Sequence, residues 1–162
     1  MTGSRLSAFA IAIAAAVANF LLVQFLWASG VAGRVLIPGL ADFSPTQNRG
    51  TSFGLLTPDS VTGYRWLIAL LALIILLVGV MAWRASTLWA SVGFGLILGG
   101  ALGNLFDRLL NGGSVFDFLA LHLGKVPLFV CNFPDMLITA GVIVLLAESL
   151  FARKSLAKAS GG

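Results

Sequence analysis

"WLIALLALIILLVGVMAWRASTLWASVGFGLILGGALGNL", Trp66 to Leu105, decides the fold class. It is two apolar runs separated only by Arg84-Ala85-Ser86. A bilayer core takes about 20 helical residues to cross, and the spans read here are roughly 64–83 and 87–105. The link is so short that the two must form a tight antiparallel hairpin of membrane helices. Working outward, "SAFAIAIAAAVANFLLVQFLWA" supplies a span over about 7–28 and "PDMLITAGVIVLLAESLF" one over about 134–151. Composition agrees. Hydrophobic residues are 59% of the chain and charged ones 10%, against about 25% charged in a soluble domain, and the mean hydropathy is +1.01. The expectation is a mostly α membrane protein, one integral domain over 1–162 built as a four-transmembrane-helix bundle. The N-terminal run is longer than the roughly 7–15 apolar residues of a signal peptide, and no small-x-small cleavage site closes it, so it reads as a retained span.

Arg5, Arg84, Arg153, Lys154 and Lys158 fall on one side of these spans. Cytoplasmic loops carry the excess of Lys and Arg, so both termini are expected in the cytoplasm. The connections over about 30–63 and 106–133 then face outward. The first, "GVAGRVLIPGLADFSPTQNRGTSFGLLTPDSVTG", has short apolar runs punctuated by Gly, Pro, Asn and Ser. That pattern predicts a small β-rich extracytoplasmic segment, a cradle at the membrane surface. The polar tail from about 154 to 162 is expected to be disordered. The formal charge of +4 is spread along the chain and marks orientation, not a nucleic-acid partner. Trp27, Trp66, Trp83 and Trp89 lie at span ends, where aromatic belts form. No internal repeat is present.

Only six residues are acidic, and three of them sit where a carboxylate is costly. Insertion scales put Asp at mid-bilayer at about 2.5–3.5 kcal/mol. Asp107 lies in "GLILGGALGNLFDRLLNGG", Asp117 between two phenylalanines in "SVFDFLALHL", and Asp135 in "CNFPDM". In the first stretch Gly95, Gly99 and Gly103 share a helical face, as close helix packing requires. Asn104, Asp107 and Arg108 follow within one turn, and Asp107 with Arg108 fits an interfacial ion pair. Asp117 points away from its phenylalanines if extended, or sideways if helical. Pro134 suits a helix's first turn, where Asp135 would meet the positive end of the helix dipole. Two carboxylates brought together on one membrane face share a proton, so that one activates water while the other polarises a carbonyl. The residues alone do not choose the pair among the three. A single His122, in what reads as the interfacial loop "ALHLGK", cannot build a two-histidine metal site. Cys131 is the one cysteine and reads as packing, and no phosphate-binding glycine loop is present. No metal or cofactor is expected.

"NRGTSFG" at Asn48–Gly54, "GGALGNLFDR" at Gly99–Arg108, "VFDF" at Val115–Phe118 and "CNFPD" at Cys131–Asp135 resemble, in order and spacing, the motifs of lipoprotein signal peptidase (signal peptidase II). The resemblance implies an aspartyl endopeptidase of the bacterial inner membrane. Such an enzyme cuts prolipoproteins N-terminal to a cysteine carrying diacylglycerol, with membrane lipid as its other partner. It implies Asp117 and Asp135 as the catalytic pair, near the extracytoplasmic face. Asn104 and Asn132 would orient that pair, and Asn48 and Arg108 would hold the substrate backbone. Gly50 belongs to the first motif, Gly100 would allow close approach, and Asp107 would support the site.

The chain departs from the family pattern at named positions. The usual Asp and following Lys of the first span are Asn19 and Val23, which leaves a hydrogen-bonding group without charge. Pro134 stands before Asp135 and removes a backbone donor. These departures keep open an alternative, a catalytically diverged paralogue that binds lipoprotein or lipid. A third reading, a transporter relaying protons through an Asp pair, fits less well, because its polar groups would line a path at several depths.

Overall fold

The computed structural model describes residues 2–30, 33–50 and 60–160, with side chains over 6–30, 33–50 and 60–152. Thr51–Gly54 of the first motif and Asp59 lie outside the described residues, as do the side chains of Arg5, Arg153, Lys154 and Lys158. Four helices are long and apolar enough to cross a membrane. They are α1 (Thr2–Ser29), α2 (Val61–Trp83), α3 (Leu88–Leu110) and α4 (Phe133–Ser160). Two of them, α2 and α3, start at hydroxyl caps. Ser60 accepts from the Gly63 N–H and Thr87 from the Ala90 N–H, satisfying donors that a helix start leaves free.

Helix α3 is the central helix, packed against α1 on one side and α4 on the other, with α2 behind. Its glycines make that sandwich possible. A Cβ on Gly99 would sit 2.6 Å from Ala15 Cβ and 2.9 Å from the Ala12 carbonyl of α1. About 100° round the helix, a Cβ on Gly100 would sit 2.6 Å from the Pro134 carbonyl of α4. Backbones that approach this closely leave no room for side chains between them. The large side chains are turned outward instead, including Leu70, Leu73, Leu76, Leu77, Ile143 and Leu146. In a soluble protein that surface would be an aggregation hazard. Here it is the surface that meets lipid.

Between the helices lies a four-stranded antiparallel sheet, order β1-β2-β3-β4, with β1 Arg34–Ile37, β2 Ala41–Asn48, β3 Val115–Leu123 and β4 Val126–Cys131. The expected β-rich segment between the first two spans supplies β1 and β2. The other half comes from the second connection, so "ALHLGK" is strand and turn, with Gly124 at φ +59 turning the β3–β4 hairpin. His122 stands on β3, with Nδ1 2.9 Å from the Gly124 carbonyl and Nε2 3.1 Å from Asp42 Oδ2. Two helix ends also differ from expectation. Helix α3 runs to Leu110, past the end expected near 105, and the helical turn that carries Asn104, Asp107 and Arg108 belongs to it. Helix α4 continues to Ser160, where the tail was expected to be disordered.

Candidate active site

Sequence neighbours and distant strands converge at one end of the bundle, the end opposite the Arg84 link. Helix α3 brings its last turns, α4 its first turn, and β2 and β3 pass between them. The register is specific: Thr46 of β2 pairs with Asp117 and Asn48 with Val115. Asn48 is thereby carried to Asp117, where its Nδ2 donates to Oδ2 at 2.9 Å. Its own Oδ1 accepts the Gly50 N–H at 2.8 Å, which fixes the amide orientation.

Asn132, at the end of β4, is the hub. It caps α4, its Oδ1 accepting the Asp135 N–H at 2.8 Å, the bond from an N-cap to the third helical residue. Its Nδ2 donates to Asp117 Oδ1 at 2.8 Å and to Asn104 Oδ1 at 3.1 Å. Asn104 in turn donates to Asp135 Oδ1 at 3.1 Å. The two aspartates are therefore joined through two amides, carboxylate to amide to amide to carboxylate. Pro134 occupies a first-turn position whose N–H has no partner within the helix, so its missing donor costs the site nothing.

Asp117 is almost fully buried and Asp135 half-buried. Burial, the largest influence, pushes the Asp117 carboxyl above its ordinary value; the Asn48 and Asn132 bonds pull it back, Asp135 reinforces the rise, and the Arg108 charge opposes it. Cys131 next door is also pushed up, by burial and then by the two carboxylates, which leaves it a poor nucleophile.

Arg108 is buried. Its Nη2 donates to the Gly50 carbonyl at 2.6 Å and its Nη1 to the Asn104 carbonyl at 3.3 Å. The expected Asp107–Arg108 ion pair does not form; the one contact of salt-bridge geometry among the described residues is that of His122 with Asp42, which is ionic only when the imidazole is protonated. Asp107 turns instead to α1, where Asn19 Nδ2 donates to its Oδ1 at 3.4 Å. Asn48, Gly50, Asn104, Arg108, Asp117, Asn132 and Asp135 thus form one connected cluster, and Asn19 with Asp107 a second pair beside it. Gly100 lies a turn deeper, against Pro134. Val23 is buried on α1.

Two contributors escaped the sequence reading. Tyr64, the chain's one tyrosine, donates its hydroxyl to the Arg108 carbonyl at 3.2 Å; its place at the start of a span was the available signal. Trp27, read only as a belt residue, lies 5.0 Å from the Phe116 ring, centroid to centroid. These two rings, with Leu26, Pro45, Thr46 and Gln47, line a cavity of about 290 Å³ beside the site.

Comparison with known proteins gives consistent findings. The family model described as signal peptidase (SPase) II matches residues 6–151. A lipoprotein signal peptidase of Nitrobacter hamburgensis is 38% identical over 146 residues, 88% of each chain. One of Methylorubrum extorquens is 43% identical over 112 residues, which is 68% of this chain and 64% of that protein. A solved bacterial membrane enzyme superposes with a TM-score of 0.75 at 21% identity, over 91% of this chain and 90% of that one.

Proposed function

The chain belongs to the signal peptidase II family, and on that premise we propose that it is a membrane-embedded aspartic endopeptidase that removes signal peptides from prolipoproteins. Asp117 and Asp135 are the catalytic pair. The observation that carries this assignment is the bridge through Asn132 and Asn104, which connects these two carboxylates and leaves Asp107 outside. The pair shares one proton. Burial directs that proton to Asp117, and half-buried Asp135 is the base.

Peptide hydrolysis then needs no other group. Asp135 takes a proton from water as its oxygen attacks the scissile carbonyl, while Asp117 gives its proton to the carbonyl oxygen. Collapse of the tetrahedral intermediate breaks the C–N bond. Asp135 passes its proton to the leaving nitrogen, and Asp117 takes one back from a hydroxyl of the intermediate as that oxygen re-forms the carbonyl of the product acid. The pair returns to its starting state. Asn48, Asn104 and Asn132 orient the carboxylates, and Arg108, tied to Gly50 and Asn104, supplies a fixed positive charge.

The substrate's diacylglyceryl-cysteine fits the setting. The cavity walled by Leu26, Trp27 and Phe116 offers an apolar surface one residue from Asp117, and the cut falls N-terminal to the lipidated residue. We place the site at the extracytoplasmic face of the bacterial inner membrane with both termini inside, because the site lies at the bundle end away from Arg84 and a cationic link favours the cytoplasm.

Turnover of a diacylglyceryl-modified prolipoprotein by the purified protein tests the reading, run beside Asp117→Asn and Asp135→Asn. Each variant should bind substrate and lose cleavage. Substrate binding without turnover by the unaltered protein would replace this reading with the diverged, lipoprotein-binding paralogue.

A further inference from the structure

Asn19 and Asp107 are 1% and 4% exposed, and one hydrogen bond between them is plain, Asn19 Nδ2 to Asp107 Oδ1. The other oxygen of each, Asn19 Oδ1 and Asp107 Oδ2, is buried without a partner. Two stranded acceptors on facing groups have a chemical meaning. An ionised carboxylate only accepts, so it can never satisfy the amide oxygen. Flipping the amide merely exchanges which of its atoms is stranded. A proton on Asp107 Oδ2 resolves both at once, because it turns that oxygen into the donor the Asn19 oxygen lacks.

We propose that Asp107 is a neutral carboxylic acid, locked to Asn19 by two antiparallel hydrogen bonds, and that this acid–amide pair is a positioning element for the adjoining site. The surroundings agree. The charged groups near Asp107 are Arg108 on its own helix and Asp117 on β3. From α1 it meets the uncharged Asn19, and α4 contributes Pro134 to the same pocket. Tyr64 of α2 spends its hydroxyl on the Arg108 carbonyl. Arg108 turns its two terminal nitrogens to carbonyls of Gly50 and Asn104, so no cation is in contact to hold Asp107 ionised. The seat is shaped for the amide: a Cβ on Gly103 would lie 3.2 Å from Asn19 Nδ2 and 3.0 Å from Pro134 Cγ.

The consequence for the site, which rests on the peptidase reading above, is electrostatic. Three carboxyl groups and one guanidinium share this region. With one proton on the Asp117–Asp135 pair and one on Asp107, the cluster is neutral, as burial demands. A neutral Asp107 leaves the Arg108 charge to the aspartate pair.

The experiment is infrared spectroscopy of the purified full chain at neutral pH in the region of the protonated carboxyl stretch, on the unaltered protein, Asp107→Asn, Asp117→Asn and Asn19→Leu. Beside the absorption of the proton held by the Asp117–Asp135 pair, we expect a second band that vanishes in Asp107→Asn, persists in Asp117→Asn, and shifts in Asn19→Leu as the acid loses its amide partner. An acid-to-amide change at a neutral site preserves shape and charge, so Asp107→Asn should keep the melting temperature within a few degrees. Identical spectra for the unaltered protein and Asp107→Asn would overturn the proposal, and so would a collapse of melting temperature in Asp107→Asn. The test does not depend on catalysis. Absence of turnover would sink the peptidase reading and leave this band in place.

Discussion

Replacing Asn132 by Asp separates two jobs that one side chain performs. The substitution is nearly isosteric, and Asp caps a helix about as well as Asn. The bond from the Asp135 N–H therefore survives, and negative charge at a helix start adds about 0.3–1 kcal/mol. What is lost is the donor. Asp117 Oδ1 and Asn104 Oδ1, now 2.8 and 3.1 Å from Asn132 Nδ2, would each face another acceptor. A hydrogen bond to a charged group contributes about 1.5–3 kcal/mol; if that orientation is needed in the transition state, kcat falls roughly 10- to 150-fold at about 1.36 kcal/mol per decade. KM should change little, because the lost bond acts on the aspartate. A pH signature accompanies the loss. The new carboxyl, buried among acceptors, is protonated more readily than in water, and once protonated it regains one donor. Variant activity should therefore recover partly as pH falls below neutral, with no matching rise in the unaltered protein. Initial rates on saturating diacylglyceryl-modified prolipoprotein across a pH series measure this, with melting temperatures as a check on the cap. A kcat within about twofold of the unaltered protein at neutral pH would refute the reasoning, since a 1.5 kcal/mol loss already exceeds that.

Further outcomes follow from the same geometry. Gly100→Ala places a Cβ 2.6 Å from the Pro134 carbonyl and 2.8 Å from Ile138 Cγ1; overpacking of this kind costs about 1–3 kcal/mol, so thermal melting should show a lower midpoint and turnover should fall as Asp135 is displaced. An unchanged midpoint would show that α3 and α4 do not pack as described. Arg108→Lys keeps the charge but cannot reproduce the planar fork that reaches the Gly50 and Asn104 carbonyls; losing one charge-assisted bond of about 1.5–3 kcal/mol should lower kcat/KM roughly 10- to 150-fold, and near-unaltered kinetics would show that charge alone suffices. The pH dependence of stability has a definite sign. Asp117 is raised in the native state, so the native chain holds this proton more tightly than the unfolded one. Its contribution is full below the ordinary carboxylate value and is lost as pH rises through that value to the raised native one. Melting temperatures should carry a downward step over that window that Asp117→Asn lacks, and equal profiles for the two proteins would contradict it.

The helices were legible because a bilayer demands about 20 apolar residues per span and nothing else in a chain imitates that signal. Their ends were less so. Asn104, Asp107 and Arg108 mark a polar boundary, yet α3 continues past them because their polar groups find partners on α1, on α4 and at Gly50, just past β2. The half of the sheet made of β1 and β2 had several turn signals of its own. Strands β3 and β4 had Gly124 between them, but β3 is also stabilised by pairing with β2 across a separation in sequence that no local pattern records. The choice among three aspartates was hidden for a related reason. Asn104 and Arg108, four apart, share the face of α3 that looks toward Asn132 and Gly50. Asp107 is turned toward α1, and no spacing rule says which of the two faces holds the other carboxylates. Resemblance to a family supplied that choice, and the proposed assignment rests on the hydrogen-bond bridge between Asp117 and Asp135.

The use of amides in the cluster has a further logic. Asn48, Asn104 and Asn132 each donate to a carboxylate and accept from another group with the same side chain. A lysine or arginine in direct contact would also have oriented those carboxylates, but it would have held them ionised. Acid–base work on a peptide requires a pair that gains and loses a proton near the working pH. Neutral donors fix the direction of each carboxylate and leave that proton free to move. The one buried cation among the described residues, Arg108, is kept out of contact with all three acids by its bonds to main-chain carbonyls, so it biases the pair from a distance without capturing either member. An acid–amide pair at Asp107 and Asn19 completes the same design, because it withdraws the third carboxyl from competition for that charge.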